Sequence, residues 1–364
     1  MQASSESQAR EALRAFLQAD ASSVALTPFG PGRIHETRAV YTAPGAAAGV
    51  TTATEPAWLL QRINTHVFPD YRALMENIAV VTSVLDSPLR FLPAEGGTLY
   101  HEAPGGGVWR LMEYVSGSMP VPSPPGPAQA GEAAAAYGAF GNRLAELDPG
   151  RVVPVIPGFH DTPARHRKLA DAMARGSGDA VREPGVTELA AWIRRRAEGL
   201  GVVTSRLADG RIPQRVCHND AKVDNVLLDR ETGRARCVVD LDTVMPGSPL
   251  YDLGDLLRSA AASVGEDEPD PQRVGVRWEC ARAVLDGFLA GAGTALTTTE
   301  RRLAPASGWL LAMEQAIRYL SDHVAGDPYY GAAYRGQNLD RARNQAALAA
   351  AFESGGWDPA TLDA

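Results

Sequence analysis

From His218 to Asn225 the chain reads His-Asn-Asp-Ala-Lys-Val-Asp-Asn, and fifteen residues beyond Asn225 it reads Asp240-Leu241-Asp242. Residues of these types at this spacing suit transfer of a phosphoryl group. The protein does little covalent work in such a transfer; it places an acceptor hydroxyl and neutralises charge on the phosphate oxygens. A carboxylate beside the hydroxyl takes or orients its proton, a role Asp220 fills. An amide five residues on and a further carboxylate hold Mg²⁺ through oxygen, the atom this hard cation prefers, and Asn225 and Asp240 fill those roles. Lys222 can bring a mobile ammonium to the transferring group. His218, at the start of the loop, reads as a brace, because Asp220 already supplies the base. The bland alternative is a polar hairpin entry whose acids and amides cap turns.

Asp240 and Asp242 alternate at the end of an apolar strand, so period-two geometry is expected to point both to one face with a cation between them. For Asp242 alone, an Asx turn closing the strand before Met245-Pro246-Gly247 competes. Asp252, at the start of a helix, is expected to cap it or to brace the catalytic loop.

The elements that must carry these groups are readable around them. Arg215-Val216-Cys217, Val226-Leu227-Leu228 and 235–240 read as short strands, with Asp229 to Gly233 as a hairpin turn. The motif residues therefore fall on loops and strand ends. Amphipathic helical patterns occupy 130–147, 186–208, 275–291, 307–325 and 338–354. Ser307 and Asn338 are the expected N-caps of the last two, and Gly355 the stop of the final one. The first 115 or so residues instead alternate short β-rich runs with one strong helix pattern. Beyond them the five prolines between Ser116 and Pro127 are expected to exclude regular structure. The boundary between the two regions is placed at 115/116, where the strand from Trp109 to Val115 ends, and the acidic run Glu266 to Asp270 is expected to be a solvated loop.

Composition narrows the partners. With 364 residues, 45% hydrophobic and 21% charged, the chain is long enough for two lobes with their own cores. A formal charge of −8 gives no basic footprint for nucleic acid or an anionic membrane, which points to small solutes. A polar N-terminus and the lack of an 18-residue apolar run indicate neither export nor membrane insertion, so the cytoplasm is the expected location. Cys217, Cys237 and Cys280 have neither close pairing nor Cys-x-x-Cys spacing and are expected to be reduced, buried thiols.

Upstream, Phe29 to Thr37 contains a glycine turn between apolar runs, with Gly30 and Gly32 as candidate phosphate-covering positions, although a full Gly-x-Gly-x-x-Gly is missing. Arg62, in the strand-like run Trp58 to Asn64, and Glu76, in the helical run that follows, are expected to form the ion pair that aligns nucleotide phosphates, with a purely structural salt bridge as the rival. Glu113 and Val115, at the lobe boundary, are counted with the nucleotide-binding residues.

Taken together these residues resemble the aminoglycoside phosphotransferase and choline kinase superfamily, and within it the bacterial N-acetylhexosamine 1-kinases. The resemblance runs over nearly the whole chain and is carried by Gly30 to Thr37, Leu60 to Asn64, Leu74 to Ile78, Pro157 to Thr162, His218 to Asn225, Val239 to Gly247 and Asn338 to Arg343. It implies an α+β, bilobal, protein-kinase-like fold, with a small β-rich nucleotide-binding lobe over residues 1–115 and a larger, mostly helical lobe over 116–364 for catalysis and acceptor binding. It also implies ATP and Mg²⁺ as cofactors and a sugar acceptor, most closely the anomeric hydroxyl of an N-acetylhexosamine. By resemblance Asp220 also grips the acceptor, and Arg318, Tyr329 and Trp357 contact it. Arg318 has a rival reading as ion-pair partner of Glu314 and Asp322 at helical spacing, and the two aromatics as core residues. Two positions depart from the pattern: Asp224 and His35 each stand where the sugar kinases often have Asn.

Related acceptors, an aminoglycoside, a cyclitol or another amino sugar, are the nearest alternatives. Arg318, Arg335, Arg341 and Arg343 argue against a polycation. A nucleotide-binding pseudokinase module is the alternative of another class, against which intact Asp220, Asn225 and Asp240 speak. A protein kinase is disfavoured by the lack of Asp-Phe-Gly with a following Ala-Pro-Glu, and a P-loop ATPase by the lack of Gly-x-x-x-x-Gly-Lys-Ser/Thr.

Overall fold

The computed structural model describes residues 5–17, 24–30, 34–42, 55–104, 106–175 and 180–362. The elements in chain order are α1 (Ser5–Leu17), β1 (Val24–Pro28), β2 (Glu36–Thr42), β3 (Trp58–Ile63), α2 (Tyr71–Thr82), β4 (Phe91–Leu92), β5 (His101–Glu102), β6 (Val108–Glu113), β7 (Ser118–Pro120), α3 (Pro127–Leu144), α4 (Thr162–Arg175), α5 (Pro184–Arg194) and α6 (Thr204–Ala208). They continue with β8 (Arg215–Cys217), β9 (Val226–Asp229), β10 (Ala235–Val238), β11 (Met245–Gly247), α7 (Pro249–Ala261), α8 (Trp278–Gly291), α9 (Thr298–Leu303), α10 (Ser307–Ala325), α11 (Gln337–Ser354) and α12 (Pro359–Leu362). The result is α+β, a β-rich N-terminal part followed by a mostly helical one. The chain divides into two compact units, one comprising Met1–Met119 with 151–156 and 229–232, the other the remainder.

The first unit is built on a six-stranded antiparallel sheet in the order β1-β2-β3-β6-β4, with β5 also on β6. Alternation along β3 and β6 sends Leu60, Trp109 and Leu111 to one face, where they close a core with Ala9, Ala12, Leu13 and Phe16 of α1. The other face meets α2, where the Arg110 guanidinium reaches Met75 Sδ at 3.8 Å. Asp70 starts α2 by accepting the Ala73 N–H, a side-chain cap that satisfies one orphan donor.

In the second unit α3 lies against α8 at a distance only small residues permit. A Cβ on Gly138 would overlap the Phe288 carbonyl and one on Gly287 the Gly131 carbonyl. The long α10 packs against α7 and α11, with Ile317 and Leu320 of α10 and Leu348 and Phe352 of α11 buried. The antiparallel pairings of β8 with β11 and of β9 with β10 flank the loop from His218 to Asn225.

Several local expectations are corrected. The proline-rich segment holds a short strand at Ser118–Pro120, and Pro127 opens α3, where its missing N–H costs nothing. Ser307 does not cap α10. A turn of 3₁₀ helix runs straight into that helix, and the Ser307 hydroxyl donates back to the Ala304 carbonyl. Asn338 lies inside the first turn of α11, behind a left-handed Gly336, with its amide donating to Asp322, Asp327 and Gly331. The acidic run after α7 is tied down: Glu266 pairs with Arg258 and Asp267 with Arg341. All three cysteines are buried and free. No helix among the described residues is long and apolar enough to cross a membrane.

Candidate active site

The loop from His218 to Asn225 is held by groups on every side, all within the second unit. Asp252, on the first turn of α7, accepts the His218 N–H at 3.0 Å and the Asn219 N–H at 2.7 Å with its two oxygens. Burial raises this carboxyl's pKa, against the pull of His218 and the two backbone donors. Asn219 turns the chain through a left-handed conformation, φ 64°, open to Asn at modest cost. Its amide nitrogen lies 3.0, 3.2 and 3.1 Å from the carbonyls of Cys217, Thr243 and Met245 and so ties the loop to β8 and β11.

His218 is fully buried, edge-on to Tyr137 and Phe140. The Asp220 N–H donates to its Nδ1 at 3.3 Å, so the ring hydrogen sits on Nε2 and is donated to the Val239 carbonyl at 3.0 Å. Both ring nitrogens are thereby spent on backbone, the geometry of a brace.

Asp220 carries the chemistry this loop can do. Lys222 Nζ lies 3.0 Å from its Oδ2. Burial alone would raise the Asp220 carboxyl, yet the Lys222 ammonium overrides it and holds the group below its ordinary value, ionised and ready to accept a proton. Burial likewise works against the Lys222 charge, but Asp220 and Asp255 raise its pKa instead. The Asn225 amide nitrogen donates to the Asp220 carbonyl at 3.0 Å, which turns the amide and leaves its oxygen for another partner. Asp224, on the single 3₁₀ turn Val223–Asn225, is exposed to solvent.

Asp240 and Asp242 do not share a strand face. β10 ends at Val238, Asp240 takes a left-handed conformation, and Leu241–Thr243 form a 3₁₀ turn. Period-two alternation stops where that turn begins, so Asp240 is exposed while Asp242 is 4% exposed. The expected donors, one amide oxygen and two carboxylates, are still the all-oxygen set that suits a hard divalent cation.

On the acceptor side the structure separates what the sequence grouped. The Arg318 guanidinium lies 5.0 Å from the Phe159 ring centre and 5.5 Å from that of Tyr330. It makes no ion pair with Glu314 or Asp322, because both are committed elsewhere. Glu314 is taken by His160 Nδ1 at 2.9 Å and by the Thr162 hydroxyl at 2.6 Å. Asp322 accepts the N–H groups of Tyr329 and Tyr330 and the Asn338 amide. Tyr329 is 61% exposed. Trp357 packs edge-on to Trp278 and stacks with Phe352, the core arrangement held as its alternative.

In the first unit, Gly30 follows β1 with φ +69° and open space where a Cβ would stand, while Gly32 lies outside the described residues. Arg62 and Glu76 are not brought together. Arg62 shares its face of the sheet with Leu60 and Trp109, lying 6.0 Å from the indole, whereas α2 covers the Gln61 and Arg110 face. Adjacent strand residues point to opposite faces, so no ion pair between Arg62 and Glu76 can form in this register. The buried cation beside α2 is Arg110, held by Gln61 Oε1 at 2.7 Å. Glu113 is exposed at the end of β6 and Val115 is buried. His35 is a packing group: it stacks on Phe68 and accepts the Asn64 N–H at 2.9 Å.

Sequence reasoning missed His160 and Glu314 as supports of the loop, and missed that Arg165 and Tyr330 lie beside Phe159 and Arg318. His160 joins Glu314 to the loop from His218 to Asn225, its Nδ1 bonded to Glu314 and its Nε2 donating to the Asn219 carbonyl at 2.9 Å. His160 lies within the segment Pro157 to Thr162, but neither periodicity nor spacing links positions so far apart in the chain. A buried Glu at the apolar face of a helix was the one available signal.

Comparison with known proteins places this geometry. The model of the phosphotransferase enzyme family matches residues 50–305. A choline/ethanolamine kinase family protein from Mesorhizobium loti is similar in structure, with a TM-score of 0.54 at 18% identity, over 96% of this chain and 99% of that one. A microcompartment-associated aminopropanol kinase gives a TM-score of 0.60 at 16% identity, over 96% and 98% of the two chains. An amicoumacin kinase, solved with AMP-PNP, Ca²⁺ and amicoumacin, gives 0.55 at 14% identity, over 92% and 90%.

Proposed function

The chain belongs to the phosphotransferase enzyme family, and from that premise we propose that it transfers the γ-phosphoryl group of ATP to a hydroxyl of a small sugar, the anomeric hydroxyl of an N-acetylhexosamine. It is a small-molecule kinase of the aminoglycoside phosphotransferase and choline kinase superfamily; the sugar is the finer reading. One observation carries the chemistry: the Asp220 carboxylate in contact with Lys222 at 3.0 Å, on a loop whose every other polar side chain except Asp224 is bonded inward.

In the reaction Asp220 accepts the proton of the acceptor hydroxyl as its oxygen attacks the γ-phosphorus. The bond from that phosphorus to the bridging oxygen breaks, and ADP leaves with the electron pair. Lys222 keeps Asp220 ionised before transfer and offers positive charge beside the phosphoryl oxygens. Asn225, Asp240 and Asp242 would hold Mg²⁺, which would neutralise charge on the nucleotide phosphates. The amicoumacin kinase, solved with AMP-PNP and Ca²⁺, supports a nucleotide and a divalent cation in this fold. For the nucleotide we keep the turn at Gly30 and Gly32, Arg62, Glu76 and the Glu113 to Val115 segment as contacts, with Arg62 and Glu76 acting separately. Arg318 and Tyr329 are the acceptor contacts we retain, and Trp357 is a weaker one given its packing.

The sugar assignment rests on the resemblance of Pro157 to Thr162, Val239 to Gly247 and Asn338 to Arg343 to the N-acetylhexosamine 1-kinases. The test is release of ADP over a panel of hexosamines, N-acetylhexosamines, neutral hexoses, cyclitols and aminoglycosides. N-acetylhexosamines are expected to turn over best. Turnover of an aminoglycoside with silent N-acetylhexosamines overturns the sugar reading, and no turnover of any acceptor alongside Mg²⁺-dependent nucleotide binding favours a pseudokinase.

A further inference from the structure

Around the Phe159 ring the second unit gathers hydrogen-bond donors that outnumber the acceptors available to them. Arg318 lies 5.0 Å from the ring centre and Arg165 lies 5.9 Å from it. Arg165 spends Nε and Nη2 on the Phe159 carbonyl, at 3.0 and 2.5 Å, which leaves its Nη1. Arg318 has no hydrogen-bond partner among the described residues, although a guanidinium carries five N–H donors. Tyr330, whose ring Arg318 approaches to 5.5 Å, has a buried hydroxyl without a hydrogen-bond partner among the described residues. The nearby carboxylate, Glu314, is bonded to His160 and Thr162 and lies 3.9 Å from Arg165.

Two guanidiniums that share one already committed carboxylate, with an orphan phenol beside them, call for a ligand rich in oxygen acceptors and poor in N–H donors. A free ammonium group would meet like charge. A planar carbonyl or carboxylate oxygen would satisfy Arg318, the remaining nitrogen of Arg165 and the Tyr330 hydroxyl together. The electrostatics run the same way: burial and the neighbouring Arg318 charge both depress Arg165, the behaviour of a cation short of an anion. Burial works against the Arg318 charge, but Tyr330, Glu314, Tyr329 and, least of these, Asp220 raise its pKa, so the cluster feels the field of the base.

We propose that Arg165, Arg318 and Tyr330 form a subsite for an sp² oxygen of the acceptor, the carbonyl of an acylated amine or a carboxylate, and so select acylated or acidic sugars over free amino sugars. This deepens the reading of the protein as a sugar kinase and rests on it. Tyr330, with its hydroxyl turned inward, takes the recognition role ahead of the exposed Tyr329.

The experiment is equilibrium binding of glucose, glucosamine, N-acetylglucosamine and glucuronate to the full chain loaded with Mg²⁺ and ADP, alongside turnover of each with ATP. N-acetylglucosamine or glucuronate is expected to bind at least about tenfold more tightly than glucose or glucosamine, the scale of one hydrogen bond to a charged group. N-acetylglucosamine as the better ligand identifies the acyl carbonyl, and glucuronate the carboxylate. In Arg165→Ala, and in Tyr330→Phe, which removes one oxygen only, the ratio of the preferred affinity to that of glucose is expected to fall at least about threefold. Unchanged ratios in both variants, a preference for glucosamine, or binding of none of the four sugars overturns the subsite. Binding with the expected preference but without phosphorylation overturns the kinase reading of these sugars and leaves the subsite standing.

Discussion

His160 Nδ1 lies 2.9 Å from Oε1 of Glu314, while its Nε2 lies 2.9 Å from the Asn219 carbonyl. Both partners are acceptors, so both ring nitrogens carry hydrogen and the imidazole is charged. The ring also stacks on Tyr251 at 4.6 Å. One buried ion pair thus ties α10, which bears Arg318 one turn beyond Glu314, to the loop that bears Asp220.

Stability is expected to depend on pH through this pair. Burial alone would lower the His160 pKa, but Glu314 raises it above the usual 6.5; burial would raise Glu314, but His160 holds it down to about 2. A raised imidazole contributes stability that is full below pH 6.5 and is lost as pH rises through the elevated value. A depressed carboxylate contributes stability present above pH 4.5 and lost as pH falls through about 2. In His160→Gln the destabilisation, measured by urea unfolding, should be largest between those limits, about 3 kcal/mol as for a broken buried pair. It should shrink toward pH 9 and toward pH 2.5. A difference that stays flat over that range would show that the ion pair contributes only packing.

Asp220→Asn should lower turnover by about 10²- to 10⁴-fold while nucleotide affinity holds, as loss of a positioned base does. Lys222 sharpens the test. Because its ammonium is what keeps Asp220 below its ordinary value, Lys222→Met should move the acid limb of kcat to higher pH, and Lys222→Arg should leave the limb near its original place. An acid limb that stays put in Lys222→Met would assign the base elsewhere.

Arg62 and Glu76 should behave as independent residues. They lie on opposite sides of the sheet, so a double-mutant cycle to Ala should give a coupling below about 0.5 kcal/mol in stability and in nucleotide affinity alike. A coupling above about 1 kcal/mol would mean that the strand register of β3 is not the one observed.

That pair also shows where sequence reading stops. The catalytic loop, the hairpin at β9 and β10 and the helices α10 and α11 were legible because local periodicity and turn chemistry specify them. The side of a sheet that a helix covers is set by long-range packing. Spacing marked Arg62 and Glu76 as partners, yet α2 sits over Gln61. The shared strand face expected of Asp240 and Asp242 is absent for a local reason: the strand ends at Val238, and the left-handed Asp240 breaks the alternation. Arg318 was named by resemblance; His160, Arg165 and Glu314 meet only through tertiary structure, and of these three only Glu314, on the apolar face of a helix, left a sign in the sequence.

Gly247 offers the closest test of how the loop is held. It pairs with Arg215 across β8 and β11, and a Cβ there would overlap the Asn219 amide, whose nitrogen lies within bonding distance of three carbonyls. Gly247→Ala must therefore push that amide away or shift β11, and overpacking of this kind costs about 1–3 kcal/mol. Because Asn219 precedes the base, part of the cost should appear as misplacement of Asp220, with kcat falling more than the acceptor KM rises. Gly265→Ala is the control: nothing stands within 4 Å of a Cβ there, and its effect should stay within about 0.5 kcal/mol. Equal behaviour of the two variants would show that β11 yields freely and that the Asn219 tie does not fix the loop.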